Sequence, residues 1–106
     1  MTKLQIAPLV RQDLREIHRY IAAELASPDA AQRALAKILS RIAKLARYPK
    51  IGAALNSIII PKTDYRFLPC ENYLIFYRCE NKIVYVDRVL YGRRDFVKIL
   101  FKEIST

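Results

Sequence analysis

The hydrophobic period of the chain changes between its two halves, and this change is what most restricts the fold. In the first half, apolar residues recur every three or four positions, as they do along one side of an α-helix. In the second half, aromatic and β-branched residues form short runs of strand length separated by polar residues. A chain of 106 residues has the length of one domain. The pattern therefore predicts a single α+β domain in which helices pack on an antiparallel sheet.

A short edge strand over residues 3–7 and a hairpin of two helices are predicted in the first half. The first helix is expected to cover residues 9–24. Its apolar stripe, which extends one residue beyond, consists of Val10, Leu14, Ile17, Ile21 and Leu25. The second helix starts at Ser27, because serine is a favoured N-cap residue and Pro28 suits the first helical position. It is expected to end near Pro49. Its apolar face consists of Ala31, Ala34, Leu35, Ile38, Ile42 and Leu45.

A meander of three antiparallel strands is predicted in the second half. The strands cover residues 65–70, 73–79 and 83–91. Apolar residues fall on both faces of these strands, so one face is expected to receive the helices and the other to keep a partly apolar surface. Residues 53–63 are expected to form a loop, and residues 95–103 a short C-terminal helix.

The cysteines and the histidine do not form a metal site. Cys70, Cys79 and His18 are the only residues of their kinds, whereas a zinc site takes about four nitrogen or sulfur ligands. In a tight hairpin, Cys70 would face Tyr73 and Cys79 would face Asp64. The thiols would then lie about 20 Å apart, which is too far for a disulfide. We expect both cysteines to be packing residues, His18 to be a packing or surface residue, and the protein to hold neither a metal nor an organic cofactor.

The apolar runs are too short for a membrane protein. The longest, residues 58–60 and 73–77, fall well below the roughly 20 residues of a membrane-spanning helix. Residues 1–6 contain no apolar segment of the kind that directs secretion. We therefore expect a cytoplasmic protein with no membrane partner.

The formal net charge of +9 indicates an anionic partner, either nucleic acid or an acidic protein segment. Five cations of the second predicted helix fall on one side, opposite its apolar face; they are Arg33, Lys37, Arg41, Lys44 and Arg47. This row, here called the basic ridge, is about 20 Å long at ~1.5 Å per residue. No acid of the helix interrupts it, so binding of an anion competes with the simpler interpretation of a solvated face.

A second group of cations, here called the C-terminal cluster, gathers around the end of the last predicted strand. It consists of Arg88, Arg93, Arg94, Lys98 and Lys102. Only Asp87, Asp95 and Glu103 are expected to oppose it.

In this order of elements, the residues resemble the RelE/ParE superfamily of toxins from type II toxin–antitoxin systems. The resemblance covers nearly the whole chain. It is carried by Asp13-Leu14-x-x-Ile17-x-x-Tyr20-Ile21, Leu45-x-x-x-Pro49-x-x-Gly52, Tyr65-Arg66-x-Leu68, Tyr73-Leu74-Ile75-Phe76-Tyr77-Arg78 and Arg88-Val89-Leu90-Tyr91-Gly92-Arg93-Arg94-Asp95. The resemblance implies a toxin neutralised by a cognate antitoxin encoded nearby, which we expect to bind the basic ridge.

The superfamily implies two targets. RelE-like toxins cleave mRNA on the ribosome and need a proton acceptor, a proton donor and cations at the phosphate. Carried over, this set would be Arg66, Arg94 and Tyr91, but the sheet arginine position falls on Leu74, and no tyrosine or histidine follows Arg94. The catalytic set is incomplete.

The segment 88–95 instead looks like the ParE branch, whose members bind DNA gyrase without chemistry of their own. The favoured hypothesis is thus a gyrase-directed toxin. Its target-binding residues would be Arg88, Tyr91, Arg93, Arg94 and Lys98. A ribosome-dependent mRNA endoribonuclease is the alternative, and a binding module that has lost toxicity is the third.

Overall fold

Two helices pack on one face of a five-stranded sheet in the computed structural model, which describes residues 2–54 and 64–92. The elements are β1 (Lys3–Ile6), α1 (Pro8–Glu24), α2 (Pro28–Lys44), β2 (Ala53–Ala54), β3 (Arg66–Cys70), β4 (Tyr73–Glu80) and β5 (Ile83–Tyr91). The strand order is β1-β5-β4-β3-β2, with β1 parallel to β5 and every other pair antiparallel. The predicted α+β fold, with its edge strand, helical hairpin and meander, is confirmed.

Local chemistry sets where the helices begin and end. The Ser27 hydroxyl accepts a hydrogen bond from the Ala30 N–H at 3.2 Å, so Ser27 is the N-cap of α2 as predicted. The prediction that α2 extends to the region of Pro49 is wrong, because the chain tightens into a turn after Lys44. In this turn the N–H of Arg47 donates to the Lys44 carbonyl at 3.1 Å. Arg47 therefore lies just beyond the helix that carries the rest of the basic ridge.

The main core lies between the helices and the sheet. Its buried residues are Val10, Ile17, Ile38, Ile42, Leu45, Leu68, Cys70, Ile75, Tyr77, Val84, Val86 and Val89. The predicted stripe of α1 ends at Ile21, which packs against this core. Leu25 does not belong to the stripe, because it follows the last helical residue and is 64% exposed.

A second, smaller apolar cluster follows from the alternation of side chains along β4. Phe76 lies between two residues of the main core and thus faces the other side of the sheet. There it forms a cluster with Leu90, and the partly buried Tyr65, Phe67 and Leu74 pack around them. The second face is apolar as predicted, but Phe76 and Leu90 are buried.

Two further sequence expectations need correction. Residues 53–63, which were expected to form a loop, begin with the two-residue strand β2, which pairs with β3. The rest of that segment, residues 55–63, and the expected helix at 95–103 lie outside the described residues. Cys70 is buried opposite Tyr73, as expected, whereas Cys79 is exposed, because it lies near the end of β4 and outside the apolar core. Its Sγ donates to the Pro49 carbonyl at 3.5 Å. Cys79 is therefore not a core packing residue.

Candidate functional site

The basic ridge is an exposed surface of α2 and of the turn that follows it. Arg33, Lys37, Arg41, Lys44 and Arg47 are all exposed. One acid reaches the row from the sheet: Glu71, in the turn between β3 and β4, accepts a hydrogen bond from Lys37 Nζ at 2.9 Å. The hydrogen bond and the charge of Lys37 lower the pKa of Glu71. Sequence reasoning missed this contact, because the two residues are 34 positions apart and meet only when α2 packs beside β3.

Arg88, which was predicted to bind the target, is engaged with α1. Its Nε and Nη2 atoms donate to the two carboxylate oxygens of Asp13 at 2.9 and 2.8 Å. The backbone N–H of Val89 also donates to Asp13, at 3.0 Å. β1 pairs with β5 only as far as Val86. Beyond Val86 the edge of β5 has no neighbouring strand on that side, and Asp13 accepts the hydrogen bond of the Val89 N–H there. The expectation that only Asp87, Asp95 and Glu103 oppose the C-terminal cluster is therefore wrong.

Asp87 belongs to a separate network on β4 and β5. A bulge places Tyr77 opposite Val86 and Phe76 opposite Arg88, which leaves Asp87 without a partner in the ladder. Asp87 accepts hydrogen bonds from the Tyr65 hydroxyl at 2.8 Å and from Arg78 Nε at 3.2 Å. Burial and the hydrogen bond to Asp87 raise the pKa of Tyr65 to about 12. Asp87 thus forms an ion pair with Arg78, which also pairs with Glu80 at 3.1 Å.

Arg66, a candidate catalytic residue, holds the chain before β2. Its Nη2 donates to the carbonyl oxygens of Gly52 at 2.7 Å and of Lys50 at 3.2 Å, and its Nε donates to Gly52 at 3.1 Å. The N–H of Gly52 in turn donates to the hydroxyl of the buried Tyr77 at 2.9 Å. Arg66 and Tyr77 therefore fix residues 50–52 against the sheet.

Tyr91 lies at the opposite end of the sheet from Arg66. Arg66 pairs with Tyr77 of β4, whereas Tyr91 pairs with Tyr73, four positions earlier. Four residues of strand span about 13 Å, so these two candidate catalytic residues are not brought together. Tyr91 instead packs edge-on against Tyr73, with ring centroids 5.8 Å apart. Both rings line a cleft of about 360 Å³ beside Tyr20 of α1.

A groove between α1 and α2 was not predicted. Its volume is about 850 Å³. The apolar lining residues are Leu14, Ala22, Ala23, Leu35 and Leu39. The polar lining residues are Arg15, His18 and Arg19, and none of them is acidic. Leu39 is 48% exposed, and sequence reasoning did not assign it to the core face of α2. Leu39 follows Leu35 by four residues and therefore lies beside it on the helix surface. This spacing was the signal in the sequence that could have indicated a second apolar surface.

The sequence matches the family of ParE toxins of type II toxin–antitoxin systems, parDE, over residues 4–96. The chain belongs to this family. Among solved structures, the chromosomal ParDE toxin–antitoxin system from P. aeruginosa is similar to it with a TM-score of 0.72. That match has 22% sequence identity and covers 86% of this chain and 96% of that chain, so it shows a shared fold. No curated protein matches the chain significantly.

Membership in the ParE family implies an antitoxin partner. Of the residues predicted to bind the target of this ParE toxin, Arg88 and Tyr91 lie in the described chain, and Arg93, Arg94 and Lys98 lie outside it. In the two described ranges, no group of three or more acidic, histidine or cysteine side chains could hold a metal ion. Within the same ranges, no helix is both long and apolar enough to cross a membrane.

Proposed function

We propose that this ParE toxin inhibits growth by binding DNA gyrase and stabilising its cleaved-DNA state, with no chemistry of its own. The observation that carries the proposal is the position of Arg66. The guanidinium on which RNA cleavage would depend donates to the backbone carbonyls of Lys50 and Gly52. An arginine held in this way supports the loop before β2 and is poorly placed to stabilise a phosphate.

The surroundings of Arg66 point in the same direction. General acid–base catalysis requires a donor and an acceptor within about 3 Å of the atoms between which the proton moves. Tyr91 lies about 13 Å along the sheet from Arg66 by strand spacing. Leu74, at the position of the sheet arginine, packs in the second apolar cluster. A gyrase-binding toxin needs none of these groups to react.

The gyrase proposal predicts that the double variant Arg93→Ala, Arg94→Ala loses growth inhibition. A charged contact buried at a target interface costs about 2–5 kcal/mol when it is removed, which corresponds to a loss of affinity of at least about 30-fold. Purified wild-type toxin should inhibit supercoiling by gyrase and increase cleaved DNA, and the double variant should do neither. The exposed pair Arg11→Ala, Arg15→Ala removes the same charge from α1 and should keep the inhibition.

Primer extension on cellular transcripts after toxin induction tests the alternative, a ribosome-dependent mRNA endoribonuclease. Codon-phased cuts in mRNA that disappear in Arg94→Ala, together with unchanged supercoiling, would replace gyrase by the ribosome as the target. A folded double variant that remains as toxic as the wild type would show that the target does not contact Arg93 or Arg94.

We further propose that the antitoxin places an amphipathic helix in the groove between α1 and α2. The groove combines an aliphatic floor with a rim of Arg15 and Arg19, so it complements a helix with an apolar face and acidic flanks. The ridge, which the sequence suggested as the antitoxin site, is the poorer fit, because protein interfaces bury large apolar anchors at their centre. The side chains between the ridge cations along its cleft are Ala36 and Ser40.

Leu39→Glu should therefore weaken antitoxin binding by at least about 30-fold, the effect of losing one anchor residue. Affinity for the product of the neighbouring gene can be measured by titration calorimetry. Leu25→Glu is the matched control, since Leu25 is 64% exposed and does not line the groove. If Leu39→Glu binds like the wild type while Arg41→Glu does not, the antitoxin lies on the ridge.

A further inference from the structure

The basic ridge differs from the groove in its side chains: the cleft beside it is lined by cations and small residues, whereas the groove is lined by leucines and alanines. Arg33, Lys37, Arg41 and Lys44 project from one side of α2, and the cleft beside three of them, about 450 Å³, is completed by Ala36, Ser40, Cys70 and Glu71. Cys70 is buried. We infer that the basic ridge binds the phosphate backbone of double-stranded DNA.

The composition of the ridge favours nucleic acid over an acidic protein segment. A segment that folds on binding must bury enough apolar surface to offset its ordering entropy, and the ridge offers small and polar side chains for this. Interfaces with DNA are instead polar, strongly cationic and hydrated. The groove on the other side of α2 has the properties that a protein partner needs, so the two surfaces serve different partners.

The spacing of the cations also suits a duplex. Residues three and four apart along α2 rise ~4.5–6 Å along the helix axis. Duplex DNA carries one charge for each ~1.7 Å of its axis. Each long, exposed side chain of the ridge can therefore reach a phosphate without a change in the backbone. Contacts of this kind position a protein on DNA and carry no sequence information.

The inference rests on the proposed function in one respect only. We choose DNA over RNA because the proposed target, gyrase, acts on double-stranded DNA. In a complex with gyrase and DNA, the ridge would add contacts to the DNA beside those that the toxin makes with the enzyme. Binding to DNA is tested without gyrase, so failure of one proposal does not imply failure of the other.

The test measures the affinity of the full-length toxin for a short fluorescent DNA duplex of arbitrary sequence over a series of KCl concentrations. Each phosphate contact contributes about 0.9 to the slope of log K against log salt. The triple variant Arg33→Gln, Arg41→Gln, Lys44→Gln should therefore lower the slope by about 2.7, and the affinity at 0.1 M salt by roughly two to three orders of magnitude. Lys37 is kept, so that its contact with Glu71 is unchanged.

The matched control removes three exposed charges that lie outside both the ridge and the groove, as Lys3→Gln, Arg11→Gln, Lys82→Gln. Its slope should change by less than about 1, since these residues lie outside the ridge. Glu71→Gln should strengthen binding, by at most about fivefold, because it releases Lys37 from an exposed pair. Thermal unfolding of each variant confirms that it is folded.

Three results would overturn the inference. If the two triple variants lower the slope equally, DNA responds to net charge and the ridge is not a site. If an RNA duplex of the same length binds more tightly than DNA and depends on the ridge, the ligand is RNA. If the ridge variant keeps its affinity for DNA but loses the antitoxin, the ridge is a protein surface.

Discussion

Replacing Gly52 by alanine is expected to lower the free energy of unfolding by about 3–5 kcal/mol. A Cβ atom at this position would lie 2.5 Å from the Phe67 carbonyl oxygen and 2.7 Å from the Tyr77 hydroxyl. The carbonyl is part of the backbone of β3, which pairs with β2 directly after Gly52, so it cannot move aside cheaply. Relieving the clash would also break the hydrogen bonds that Gly52 makes with Tyr77 and Arg66.

Urea denaturation of the purified toxin, followed by circular dichroism, measures this loss. Gly92→Ala is the matched control, because its Cβ would meet Asn72 O at 3.4 Å and the flexible side chain of Leu74 at 3.6 Å. It should cost less than about 1 kcal/mol, as most surface substitutions do. Equal stabilities of the two alanine variants would show that the chain around Gly52 is loosely packed. Arg66→Ala should also destabilise the protein, which separates a structural arginine from a catalytic one.

The elements of the fold were predictable because local patterns determine them. The apolar periodicity of α1 up to Ile21, the N-cap at Ser27 and the two-residue turn at Glu71 are set by neighbouring residues, and each lies where the sequence placed it. The end of α2 was misplaced, because the chain turns after Lys44, whereas residues 45–48 contain no glycine or proline that would mark a helix end in the sequence. The parallel pairing of β1 with β5 joins residues 80 positions apart, such as Lys3 and Ile83, and no local pattern encodes it.

The candidate site was harder to predict, because charged side chains do not reveal their partners in the sequence. Arg66, Arg88 and Lys37 were all counted as cations available for binding. In the structure, Arg66 supports the loop before β2, Arg88 pairs with Asp13 across 75 positions, and Lys37 meets Glu71. Composition gave the net charge correctly. It could not show which cations have partners within the fold, because tertiary packing alone brings the acids and carbonyl groups to them.

Asp13→Ala is expected to destabilise the toxin by about 3 kcal/mol, the lower end of the cost of breaking a buried ion pair, because Asp13 is buried and Arg88 only partly so. Asp13 is 5% exposed and accepts three hydrogen bonds, two from Arg88 and one from the Val89 N–H. Its loss would deprive Arg88 of a carboxylate and open the edge of β5 beyond Val86. Amide hydrogen exchange should therefore show faster exchange at Val89, in addition to the lower stability in urea.

Two variants test whether the buried position of Asp13 causes the effect. Asp13→Asn keeps one oxygen acceptor without the charge and should fall between the wild type and Asp13→Ala. Glu80→Ala removes the carboxylate of an exposed pair with Arg78, in which the glutamate side chain is 61% exposed, and should cost less than about 1 kcal/mol. If Asp13→Ala is no less stable than Glu80→Ala and Val89 remains protected, Asp13 does not hold α1 to β5.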